Sequence, residues 1–281
     1  MTDFNLTHLL KRPQYGLLGL IAWLSTLSLA TVWRVNDLTL LGMSGLFLLA
    51  TLTLIWENHP TYCYRHDRLA SLLAIGLIVW VVWQSGAIVS ESQAELRLLP
   101  FVSALAIALL ASGFSGLVQY RRELAIMFFL GVPNILLKQI NISLLTAHAT
   151  AKILSWKGFE VRQEDVFLYL PDASMKVHNG CSGIQSITYL LGIAVICLTL
   201  YPMARSRQIV ALIGSIAIGF GVNAARVAMM TTLSKPGAET ALAFWNTGNG
   251  ALITGAAALI LFAALYWLLY RIELRCAQYA Q

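Results

Sequence analysis

Eight apolar runs, each about as long as a bilayer is thick, constrain this chain more than any other feature. They cover roughly residues 14–33, 38–56, 69–89, 98–118, 124–146, 182–203, 208–232 and 244–270. A helix needs about 20 consecutive apolar residues to cross the hydrocarbon. The runs are apolar all round rather than striped, and no alternating ten-residue segments occur, so helices are expected and not a barrel of strands. Composition agrees. Of 281 residues, 58% are hydrophobic and only 11% charged, too few charges to cover a soluble fold of this size. A soluble enzyme, a disordered chain and a collagen-like fibre are excluded. The expected fold is an all-α integral membrane protein, a bundle of about eight transmembrane helices forming one domain over residues 1–281. The first run is too long for a cleaved signal peptide.

Lys and Arg at the run ends set the expected orientation. Lys11, Arg12, Arg65, Arg68, Arg121, Arg122, Arg205, Arg207, Arg271 and Arg275 fall on one side, and Arg34, Arg97 and Lys235 on the other. Ten against three is a positive-inside bias that places both termini in the cytoplasm, in a cytoplasmic (inner) membrane. The net charge of +6 belongs to this asymmetry, and no nucleic-acid partner is expected. The loop at about 147–181 then lies outside. It carries strand-like stretches, Val166 to Leu170 and Met175 to His178, around the turn at Pro171-Asp172, and reads as a short hairpin leading into the sixth run. The fifth run is interrupted by Pro133, Asn134, Lys138, Gln139 and Asn141, so a kink or an early exit is expected there.

Three polar clusters interrupt the last three runs. Cys181 stands in His178-Asn179-Gly180-Cys181-Ser182-Gly183, where the loop becomes the sixth run. An outward cysteine is accidental, intermolecular or a reactive nucleophile, and the N-terminus of a helix favours the nucleophilic thiolate. Gly183 lets backbone or substrate come close. Ser182 more simply bonds the preceding turn than acts as a nucleophile. In the seventh run Asn223 and Arg226, three residues apart, share a face. An arginine inside a bilayer costs at least about 2.5–3.5 kcal/mol on insertion scales and marks a functional site unless it snorkels. The eighth run opens with Phe244-Trp245-Asn246. Chain direction brings all three clusters to the same depth of the same leaflet. No metal-ligand spacing and no phosphate-binding glycine loop occurs, so neither metal nor cofactor is expected.

These residues resemble the exosortase and archaeosortase family of membrane cysteine transpeptidases, with the cyanobacterial cyanoexosortases the nearest branch. Cys181-Ser182-Gly183 matches the family's Cys-Ser-Gly core, and Asn223-Ala224-Ala225-Arg226-Val227 its Asn-x-x-Arg-Val element. The resemblance covers roughly residues 120–262. It implies Cys181, Arg226 and position 246 as catalytic, with catalytic helices at about 182–270. It implies exported substrates that carry a PEP-CTERM-type sorting signal: a short Pro-Glu-Pro-type motif, a transmembrane helix and a basic tail. The enzyme cuts near the motif and passes the new C-terminus to an acceptor at the outer face. Partners are therefore the sorting-signal helix and membrane lipid. One element departs: Asn246 stands where the family has His, and an amide takes up no proton near neutral pH. An engineered trap, a natural variant with its base elsewhere and an inactive homologue all fit. His178 is either a substitute base or simply a polar residue at the end of an exposed strand, and His148 is a weaker candidate for the base. A transporter, a membrane acyltransferase and a non-catalytic sorting-signal-binding homologue are the rival classes.

Overall fold

The computed structural model describes residues 13–87, 93–137, 140–246 and 249–279. Lys11, Arg12, Lys138 and Gln139, used above, lie outside them. The chain is an all-α integral membrane protein. It divides into two compact units, residues 1–133 and 134–281.

The first unit holds α1 (Pro13–Arg34), α2 (Leu38–Asn58), α3 (Arg68–Ala87), α4 (Gln93–Gly116) and the start of α5 (Arg121–Leu137). Asp37 accepts from the Leu40 N–H at 2.9 Å and caps α2. Leu24, Leu40, Phe47, Leu99, Leu109 and Ile126 are buried, while Trp23, Leu49, Trp56 and Leu72 face outward, as lipid-facing side chains do. Gly113, at φ 66°, breaks α4, and a 3-10 turn at Leu117–Tyr120 precedes α5. Phe101 of α4 meets Phe128 of α5 edge-on at 5.7 Å, and Gly131 leaves room for the Arg97 backbone. Helices α4 and α5 therefore fold back on each other as a hairpin. Seven stretches among the described residues are long and apolar enough to cross a membrane, and this hairpin is counted as one of them, Glu95–Leu137. Expectation was eight separate runs. Helix α5 alone has 17 residues, the lower limit for a crossing.

Two further expectations are corrected here. The run at 124–146 is not one helix. Helix α5 stops at Leu137 and α6 (Ser143–Trp156) starts afresh, with the Asn141 side chain accepting from the Ser143 N–H at 3.0 Å. Pro133 and the amides of that stretch remove the continuous apolar surface a single span requires. Glu123, placed outside every run above, belongs to the first turn of α5, where it is buried and accepts from the Tyr62 hydroxyl at 2.6 Å. A helix N-terminus accommodates a carboxylate there.

The second unit holds α6, three short strands, α7 (Ile184–Leu200), α8 (Arg205–Leu233), α9 (Glu239–Asn246) and α10 (Asn249–Tyr279). The loop expected at 147–181 is shorter, because α6 extends to Trp156. Its strands β1 (Arg162–Glu164), β2 (Phe167–Tyr169) and β3 (Ser174–Lys176) form an antiparallel sheet in the order β1-β2-β3. The first of them was not anticipated. One face of the sheet is apolar: Leu168, Val177, Ala147, Val227 and Met230 bury each other around Cys181, with Met175, Leu242 and Trp245 packed against them. The sheet, α6, α8 and α9 thus share one small core that contains the cysteine.

Candidate active site

Cys181 sits in a 3-10 turn, Asn179–Cys181, ahead of α7 rather than at its first residue. The helix was expected to start at 182, and Gly183 explains the delay. Its φ of 91° is left-handed, and a Cβ there would lie 2.8 Å from the Asn223 amide nitrogen. Only glycine combines that φ with that approach. The turn is tied down by several bonds. The Cys181 N–H donates to the His178 carbonyl at 2.8 Å. Ser182, fully buried, donates its hydroxyl to the Asn179 carbonyl at 2.7 Å, a structural bond that engages the oxygen a serine nucleophile would need. Asn223, also buried, donates from Nδ2 to the Cys181 carbonyl at 2.9 Å. The Asn223 amide therefore grips the backbone of the residue whose sulfur is in question.

Helix α6 adds anchors that the sequence reading missed. Thr146 donates to the Ser182 carbonyl at 2.7 Å and Thr150 to the Ala224 carbonyl at 3.4 Å. Ser143, Thr146 and Thr150 are all buried. Their spacing of three and four is a hydroxyl stripe on one helix face, and it was the available signal.

His178 touches the cysteine: Nε2 lies 3.5 Å from Sγ. Its other nitrogen, Nδ1, accepts from the Gly180 N–H at 3.1 Å. An acceptor Nδ1 leaves the ring proton of the neutral form on Nε2, so His178 faces the sulfur as a donor. A side chain at Gly180 would lie 2.9 Å from that ring, so glycine makes the arrangement possible. His148 instead bonds the Gln163 side chain at 2.8 Å.

Arg226 donates from Nε to the Trp245 carbonyl at 3.1 Å and from Nη2 to the Asn246 carbonyl at 2.6 Å. These are the last carbonyls of α9, which have no partner within the helix, and a cation at a helix C-terminus is favourable. Guanidinium has five N–H donors, so donors remain. Arg226 is thus an internal bridge between α8 and α9 and not a snorkelling residue. Asn246 is exposed and, with Cys181 and His178, lines a cavity of about 530 Å³. Two lysines missed by the sequence reading, Lys176 and Lys235, line it as well, as does Glu239. The Glu239 carboxyl is held below the usual carboxylate range by its own N–H and that of Gly237.

A buried thiol, a ring N–H and an amide therefore meet around one cavity, and the Arg226 guanidinium holds the end of α9, the helix that brings the amide there. The chain matches the family model for the transmembrane exosortase over residues 33–263. It belongs to the transmembrane exosortase family. The matched region takes in every residue of this exosortase cluster, from Thr146 to Asn246. No curated protein and no solved structure matches the chain.

Proposed function

We propose that this exosortase is a membrane-embedded cysteine transpeptidase that cleaves PEP-CTERM-type C-terminal sorting signals at the outer face of the cytoplasmic membrane. Within the family it stands nearest the cyanobacterial branch, and both termini lie in the cytoplasm. The observation that carries the reading is the buried Cys181 sulfur at the wall of an open cavity, with His178 Nε2 at 3.5 Å.

The sulfur attacks the scissile carbonyl carbon. The tetrahedral oxyanion is met by remaining N–H donors of Arg226, a fixed cation. The C–N bond breaks, the thiol proton ends on the leaving amine, and a thioester joins the new C-terminus to Cys181. An acceptor nucleophile then displaces the thioester and returns the proton to sulfur. In the bonded arrangement His178 donates to the sulfur and supports its negative charge. To carry the thiol proton the ring must leave Gly180 and present a bare Nε2. Position 246 lies on the same cavity, and a histidine there would carry protons without that rearrangement.

The test is cleavage of a sorting-signal reporter by the full chain in membranes. The reporter shortens with the native chain and stays intact with Cys181→Ala. Retained turnover in that variant would overturn the nucleophile. One observation favours a second reading, a non-catalytic signal-binding homologue: Asn246 gives the cavity an amide where proton transfer needs a titratable group. Signal binding without cleavage after Asn246→His would support that reading.

A further inference from the structure

We propose that the substrate segment around the scissile bond binds as a fourth strand on the free edge of β3. This rests on the peptidase reading above and specifies how its substrate is held. Hydrogen bonding gives the direction of every amide in β3. The Leu170 N–H donates to the Ala173 carbonyl at 2.7 Å and the Val177 N–H to the Val166 carbonyl at 2.9 Å. With Leu168 opposite Met175, residues 173, 175 and 177 turn their amide groups toward β2. Direction alternates along an antiparallel strand, so Ser174 and Lys176 turn theirs the other way. Among the described residues no main chain pairs with that side.

That side is the cavity. Ser174, Lys176, His178 and Cys181 line it along the strand and the turn that follows, and Leu242 and Asn246 line it from α9. Its volume of about 530 Å³ lies within the range of ligand pockets. An unpaired edge is a liability unless it is covered or used, and adding a peptide strand is the common use. A peptide paired with Ser174 and Lys176 runs on toward the turn Asn179–Cys181, which holds the sulfur. Charge selects the occupant. Lys176, whose ammonium also lies 5.2 Å over the Phe167 ring, and Lys235 line the cavity, and neither joins an ion pair among the described residues. The facing carboxylate, Glu239, is bonded to the Gly237 N–H at 3.1 Å. The extended, acidic motif of the proposed sorting signal is the strand that fits.

The experiment uses the full chain in phospholipid vesicles and a labelled synthetic peptide: an acidic extended segment, an apolar helix and a basic tail. Binding is read on Cys181→Ala protein, where no turnover intervenes, and cleavage of the same peptide is read on the native chain. The segment is N-methylated at one amide after another. Methylation at alternate residues weakens binding about tenfold, and at the residues between them by less than about twofold. Ser174→Pro removes one outward N–H and leaves the β2 pairing intact; it weakens binding of the unmodified peptide about tenfold as well. A uniform response to methylation, or no binding of the unmodified peptide, would overturn strand addition. Cleavage in that case leaves the peptidase reading standing, whereas alternating binding with no cleavage overturns that reading and keeps the docking mode.

Discussion

At the scale of single residues, the cluster distributes two jobs between similar groups. Asn223 and Arg226 sit one turn apart on α8, yet the amide holds the Cys181 backbone and the guanidinium holds the end of α9. Arg226→Lys keeps the charge and loses the planar fork. An ammonium cannot hold the two α9 carbonyls as the fork does, so cleavage falls by at least about tenfold while the protein still inserts. Unchanged cleavage by Arg226→Lys would reduce the residue to a charge. Asn246→His supplies a titratable ring at the cavity, and general acid–base help is worth about 10²–10⁴-fold. A rate increase in that range, with His178 intact, is the expected outcome of a membrane cleavage assay. Equal rates would leave His178 as the proton carrier. The polar residues of this cluster were legible in the sequence because charge and amide are rare inside apolar helices. Lys176 and Lys235 were not, because lysines in polar loops look alike whether they face solvent or a cavity.

At the scale of elements, the turn before α7 decides where the sulfur lies. Gly183→Ala forces a left-handed residue to carry a Cβ against Asn223. Strain of this kind costs about 1–3 kcal/mol, so thermal unfolding in detergent shifts down and cleavage falls with it. A variant with unchanged melting would show that the turn relaxes freely. Thr146→Val leaves the buried Ser182 carbonyl without its donor, at a cost of about 1–3 kcal/mol, and is read by the same melting experiment. Element boundaries were the least legible part of the chain. Hydropathy marks where a helix is apolar, not where its backbone turns. It ran the fifth segment through Pro133 and Asn134, and it began the sixth at Ser182, where Gly183 postpones the first helical turn. Strand β1, three polar and largely exposed residues, carries no pattern at all and exists by pairing with β2.

At the scale of the molecule, the spans follow directly from composition, since backbone in hydrocarbon must close its own hydrogen bonds. The positive-inside count makes the orientation testable. Cys63 and Cys276 are exposed and stand on the arginine-rich side. A membrane-impermeant maleimide labels both only after the cells are opened. Labelling of either in intact cells would reverse the topology and put the cavity on the cytoplasmic face. The most direct test of the whole account is mass spectrometry of the native chain incubated in membranes with a sorting-signal peptide and no acceptor. The account predicts an added mass on the tryptic fragment holding Cys181, equal to the N-terminal part of the peptide as a thioester and removed by hydroxylamine. A shortened peptide with the adduct on another residue, or an intact peptide and an unmodified Cys181, would contradict it.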